Sequence, residues 1–315
     1  MAFAIQDNTL GAIDLYTSDY SGPGAYSLAG VTLGKMGRYE YPSAFVDAVD
    51  PLLGGGFFTF AQVAPFAAQT ISSITISGNT ATLTTASAHG LSVGACIQIA
   101  GAAPAGYNGL WAVATVPSTT TLTFNANQIV DPRWNPCVPN IPLVANPNLP
   151  TVSATTVGTY VPGIGAGQVV QFTHAKETAT GGLILQAQPW TGTANSGLSL
   201  GVALAQSLAT TTTSNPAGAF GGQYGWFQVG GASAVYVGAG TPAIGNQTYF
   251  NAGGGSSLGG SLQVAAVASK QMQGSQFCSA LGASFGPASG VGSFTLPSNM
   301  ALIWGTFPLA QGAIT

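Results

Sequence analysis

Between Gly221 and Lys270 the chain sets down one short apolar run after another, each cut off by glycine or proline. Gln223–Val229 is aromatic and β-branched and predicts a strand. Gly230-Gly231 predicts a turn, Ser233–Val237 alternates again, and Gly238–Ile244 predicts a Gly/Pro turn. Thr248–Phe250 restarts the pattern, Gly253–Gly255 breaks it, and Leu262–Val267 closes the set. Short strands separated in this way predict a small closed barrel or sandwich. The stretch offers no acid, base or metal ligand, so it predicts a scaffold that builds surface.

The same period of two recurs earlier. Ile71–Thr85 alternates apolar and polar positions, with Ser77-Gly78-Asn79 as the turn between Ile74/Ile76 and Ala81/Leu83. Three further strand-like runs follow, up to Phe124, with Gly or Pro between them. From Asp131 to Pro150 six prolines exclude helix and central strand, which predicts an extended, semi-rigid, polyproline-like segment. It reads either as a tether or as an arm laid across a neighbour, because Trp134, Ile141 and Leu143 need burial.

Strands resume from 151. Gly163–Gly167 is a tight turn and not a dinucleotide loop, because Val169–Phe172 after it reads as strand. Leu198–Thr213 fits one helix, with Leu200, Leu204 and Leu208 on a face, or a strand followed by a Thr-rich loop. Met300–Trp304 predicts a strand apolar on both faces. Residues 1–70 form an irregular leading segment rich in Tyr and Gly. The expected fold is therefore all-β, with two small barrel or sandwich domains. Its divisions are an N-terminal segment at 1–70, either a separate arm or a source of extra strands for the main barrel, a barrel module at 71–126, a Pro-rich connection at 127–150 and a main barrel at 151–315.

Composition sharpens this picture. Only 4% of the 315 residues are charged, against roughly a quarter in an average soluble domain. Asp7, Asp14, Asp19, Lys35, Arg38, Glu40, Asp47 and Asp50 fall in the leading segment, and Asp131, Arg133, Lys176, Glu177 and Lys270 complete the set. A surface this poor in charge tends to associate, so much of it is expected to be covered by other copies or other proteins. Five basic residues leave nucleic-acid binding without its electrostatic term. No run approaches the roughly 20 apolar residues of a spanning helix, and the strands are too short and Gly-rich for an outer-membrane barrel. The start, Met1–Leu10, lacks the basic and apolar regions of a secretory leader. Cys96, Cys137 and Cys278 are odd in number and far apart, which predicts free thiols and a reducing cytoplasm at synthesis.

Candidate chemistry is sparse. Gly-x-Ser-x-Gly occurs at Gly90–Gly94, Gly197–Gly201, Gly255–Gly259 and Gly282–Gly286. A working nucleophile elbow needs a strand-to-helix turn and a downstream acid and histidine. The last histidine is His174, which leaves only Ser92 with Asp131 and His174 in that order, and strand follows Ser92. His89 and His174 stand alone, and no cysteine pair has zinc spacing. Asp14 and Asp19 sit in a Tyr/Ser/Gly loop without an acidic cleft. The reading is a non-enzyme without cofactor or metal. Lys35, Arg38 and Glu40 form a charged cluster, either solvated or in polar contact with a neighbouring subunit. With Trp134, Ile141 and Leu143 they are the candidate interaction residues.

Two motif sets carry a resemblance. His89-Gly90-Leu91, Val93-Gly94, Ile97–Gly101, Tyr107-Asn108-Gly109 and Thr121–Phe124 resemble a small β-barrel module of bacteriophage virion proteins, itself similar to a half-domain of ubiquitin-activating enzymes. That resemblance implies a structural module, with the His89 ring bonding backbone at a turn. Cys96 lies inside a predicted strand and reads as a small core residue. Gly201–Ala205, Tyr224–Gly231, Ala243–Asn246 and Phe307–Thr315 are similar to cement, or decoration, proteins of tailed-phage capsids. This second resemblance covers roughly 201–315. It implies a virion structural protein, made in the host cytoplasm, whose partners are the major capsid protein and other copies of itself. A trimer suits the sites between capsomers. The alternative is a tail, fibre or adhesin subunit that binds a host glycan, with Tyr107, Trp111, Trp190 or Trp226 as stacking platforms.

Overall fold

A computed structural model describes residues 36–39, 56–64, 68–103, 105–126, 152–153, 158–165, 167–176, 183–190, 192–203, 207–208, 224–251, 260–285 and 294–312. In chain order the strands are β1 Met36–Tyr39, β2 Gly56–Val63, β3 Gln69–Ser77, β4 Thr80–Thr85, β5 Cys96–Ala100, β6 Gly109–Ser118 and β7 Thr121–Asn125. Next come β8 Val152–Ser153, β9 Thr159–Ile164, β10 Val169–Lys176, β11 Leu183–Pro189, β12 Leu200–Ala203 and β13 Ser207–Leu208. The last are β14 Tyr224–Ala239, β15 Gln247–Phe250, β16 Leu262–Gln263, β17 Gln271–Phe277, β18 Ser284–Phe285, β19 Phe294–Thr295 and β20 Met300–Ala310. The helical turn at Ala105–Tyr107 is the exception to an all-β chain among the described residues.

The smaller sheet closes as β3–β4–β7–β6–β5–β9 and back to β3, with β13 added on β9 and β8 on β3. Its β3–β4 hairpin has the expected turn: Ser77 pairs with Thr80, Ile76 with Ala81 and Ile74 with Leu83. A bulge between Ile71 and Ser73 shifts the alternation, so Ile71 and Ile74 are both buried while Ile76 is half-buried against the core. Trp111 and Phe124 meet at 4.9 Å inside this barrel, with Leu83, Leu122 and Tyr160 around them. Burial of each such large side chain contributes roughly 2–3 kcal/mol. Asn108 closes the loop before β6, accepting from Ala102 N at 2.8 Å and donating to Ala102 O at 3.0 Å. Closure requires β9, which lies between β5 and β3. Thr159–Ile164, beyond the Pro-rich connection, thus belongs to the sheet built mainly from residues 69–125.

The larger sheet closes twice through one strand. One ring runs β14–β2–β11–β10–β12 and returns to β14; the other runs β14–β16–β15–β17–β20 and returns to β14. β14 is 16 residues long. Its first half pairs with β2 through Tyr224↔Gln62 to Gly231↔Gly56, and its second half pairs with β20 through Gly230↔Thr306 to Tyr236↔Met300. Gly230-Gly231 is therefore not the turn its composition suggests. The strand continues through it, with a bulge against β2 between Gln228 and Gly230, and Gly230 and Gly231 pair with β2 on one side and β20 on the other. Gly231 has φ 106°, a backbone setting that a side chain disfavours, which explains why glycine serves here. Phe172 against Phe227 fills the first ring, and Trp190 against Phe250 fills the second.

Of the two readings for 198–213, strand prevails where the chain is described. β12 has both faces buried and neighbours on both sides, which favours the β-branched Val202 and rewards the extended form. Residues 204–206 and 209–213 lie outside the described residues.

The two sheets meet on the outer face of β14 and β20. The loop Ser92–Gly94 sits against Ala234, Tyr236, Met300, Leu302 and Leu296. A Cβ on Gly94 would lie 2.1 Å from the Tyr236 ring, and φ is 84°, so only glycine permits this approach. Gln168, from the turn after β9, ties both sides. It donates from Nε2 to Ser92 Oγ at 2.6 Å and accepts at Oε1 from Gly165 N at 2.8 Å. The backbone of the same turn receives Tyr236 N at Gly167 O and donates Gly167 N to Ala203 O.

Candidate interaction surface

The outer face of β20 changes character along its length. Met300 and Leu302 are covered by the joint with the smaller sheet, while inward-facing Ala301 and Ile303 fill the second ring. Beyond the joint the same face continues but the cover ends. Trp304 is 52% exposed, Phe307 44% and Leu309 43%. Trp304 pairs across the ladder with Ala232 on one side and Gln276 on the other, and Leu309 pairs with Gln273. Phe57 of β2, 38% exposed, pairs with Gly230, which pairs in turn with Thr306. The missing side chain at Gly230 leaves room for the Phe57 ring, whose nearest carbon would lie 3.1 Å from a Cβ there. Phe57 and Phe307 then meet at 5.1 Å with their rings tilted by 40°.

Phe307 is presented by a distortion. Its φ is 46°, in the left-handed region that bulky residues avoid. The register between β17 and β20 shifts between Gln273 and Ser275, so Phe307-Pro308 form the extra length, opposite Gly274. Strain of this kind costs on the order of 1–3 kcal/mol and persists where the surroundings impose it. Here it turns an aromatic ring outward, beside another, in place of burying it. Isolated exposed apolar residues are ordinary, whereas a contiguous group marks an interaction surface.

The residues that sequence reasoning proposed are distributed as follows. Arg38 lies in β1 and pairs in register with Phe57, which places it at the border of this face. Lys35, Glu40, Trp134, Ile141 and Leu143 lie outside the described residues, as do Asp14, Asp19 and Cys137. So do all eight acidic residues of the chain, and among the described residues no group of three His, Cys, Asp or Glu side chains could hold a metal ion. Sequence reasoning missed Trp304, Phe57 and Phe307. The signal for Trp304 was its place at the end of an apolar run, which reads equally as core.

Residues with possible chemistry are engaged structurally. His89 is buried; its Nδ1 accepts from Leu91 N at 2.9 Å, and its Nε2 lies 3.1 Å from Ser118 O. An accepting Nδ1 requires the proton on Nε2, which then donates to Ser118 O. Ser92 is the serine of Gly90–Gly94, and it is buried within the joint. Cys96 is fully buried and donates from Sγ to Ile164 O at 3.3 Å, the small core residue expected. Burial pushes the half-buried Cys278 thiol upward, partly offset by a backbone hydrogen bond. Burial also pushes Tyr160 and Tyr236 to about 12.

No family model matches the chain, and no curated protein or solved structure does so either.

Proposed function

We propose that the chain is a non-enzymatic structural subunit of a bacteriophage virion, a cement or decoration protein that binds the outside of the head shell. The observation that carries this reading is the aromatic face around Trp304, which offers contact area and no catalytic group. The phage assignment itself rests on the motif sets at 89–124 and 201–315. In mechanism the protein acts by mass action: whatever binds only the assembled shell stabilises that shell. Standard interfaces bury about 1,600 Å², so a few per copy would oppose loss of the shell. The test is to strip the protein from its particles, add it back and follow their survival on heating. Restored survival supports the reading, and particles indifferent to the protein contradict it.

The second reading, a tail or fibre subunit that binds a glycan, loses three of its platforms. Tyr107, Trp111 and Trp190 are buried. The Trp226 side chain lies outside what is described. Trp304 beside Gln276 is the observation that still favours it, since an exposed indole next to an amide suits a sugar ring.

A further inference from the structure

We propose that the aromatic face of Phe57, Trp304 and Phe307 receives the proline stripe Pro136–Pro139–Pro142 of a second copy of the chain. The inference deepens the reading of this face as a docking surface and rests on it. A polyproline helix has three residues per turn, so prolines at every third position line up along one edge. Pro136, Pro139 and Pro142 have that spacing, within a stretch whose six prolines favour this conformation. Such segments dock on grooves between aromatic rings, because their shape is set in advance and little entropy is lost on binding.

The face has the matching chemistry. Phe57 and Phe307 are tilted by 40° at 5.1 Å, and Trp304 stands on the same side of the sheet, two positions from Thr306. The exposed amides of Gln276 and Gln273 border the rings at register positions beside Trp304 and Leu309. They can donate to the carbonyls that a polyproline helix leaves unpaired. The stretch from Trp134 to Pro150 contains no charged residue, so it brings no ion to be desolvated against the rings. A chain with only 4% charged residues tends to associate with itself, which favours a neighbouring copy as the occupant of these exposed rings. Pro136 lies ten positions beyond Ala126, the end of the smaller sheet, and a segment of that length spans up to ~30 Å when extended, which suffices for contact with a neighbouring copy.

Sedimentation velocity of the full chain tests the inference with two single-sided variants. Trp304→Ser removes the face and keeps the stripe, and Pro136→Ala/Pro139→Ala/Pro142→Ala removes the stripe and keeps the face. Far-UV circular dichroism verifies folding, and Leu309→Ser is a second face variant should Trp304→Ser fold poorly. The wild type is expected to associate with rising concentration, and each variant is expected to weaken association by about tenfold or more, or ~1.4 kcal/mol. A mixture of the two variants is expected to recover heterotypic pairs, because one supplies the stripe and the other the face. A wild type that stays monomeric overturns the proposal. So does a proline variant that associates like the wild type, which would mean that the face meets itself, and so does a mixture that recovers nothing. If only the variants lose association while shells are still protected, the structural reading survives and the inference is confined to self-contact. If association fails in the wild type yet shells are protected, the inference alone falls.

Discussion

Gln168 donates from Nε2 to Ser92 Oγ at 2.6 Å, with both side chains buried where the two sheets meet. A single amide thus bridges the loop before β5 and the turn after β9, and its other end holds Gly165 N. Ser92→Ala should cost about 1–3 kcal/mol, since it removes the hydroxyl acceptor of a buried amide N–H. Gly94→Ala should cost more, because its new Cβ would overlap the Tyr236 ring in a disfavoured backbone setting. Urea unfolding of both variants measures the difference. A Gly94→Ala protein as stable as the wild type would refute the close approach.

Tyr160 reports on a different kind of cost. Its hydroxyl is buried without a hydrogen-bond partner among the described residues. Tyr160→Phe removes the unsatisfied group and keeps the ring, so the variant should be equal to the wild type or more stable, by about 1 kcal/mol. A loss of stability on thermal or urea unfolding would mean that the hydroxyl has a partner.

Alkaline pH should destabilise the protein before it affects an ordinary barrel of exposed tyrosines. Burial raises Tyr236 and Tyr160 from 10.0 to about 12. Below pH 10 both are protonated in either state, and stability does not change on their account. Between pH 10 and 12 the unfolded chain releases these protons and the folded chain does not, so stability falls as pH rises. For the buried Tyr236 the loss is on the order of 2–3 kcal/mol by pH 12. Urea midpoints from pH 9 to 12 measure it, with Tyr236→Phe expected to flatten the curve. An identical slope in that variant would contradict the assignment.

His89 should show a fixed tautomer. Leu91 N donates to Nδ1, so the ring proton sits on Nε2 and faces Ser118 O. Nitrogen-15 NMR of the imidazole at pH 8 is expected to show a protonated Nε2 and an unprotonated Nδ1. His89→Ala should lower stability by about 1–3 kcal/mol through the orphaned Leu91 N–H. The reverse tautomer would contradict the turn.

Local signals account for the parts of this fold that were legible in the sequence. The Ser77–Thr80 hairpin, the turn at Gly167 and the buried strand from Met300 are each set by residues within a few positions. Gly230-Gly231 misled because a glycine pair looks alike whether the chain turns or runs on between two strands. What decides is the presence of β2 on one side and β20 on the other, both remote in sequence. The place of β9 in the smaller sheet was hidden for the same reason, since β3 and β5 lie beyond the Pro-rich connection. The candidate interaction surface was the least legible part. Trp304 and Leu302 have the same apolar character and share one face, and only the extent of the covering loop leaves one open and buries the other.

The most direct test of the structural reading is where the protein lies on its source particle. Antibody-labelled negative-stain images are predicted to show it distributed over the whole head. Label confined to the tail tip, or absent from intact particles, would contradict the account.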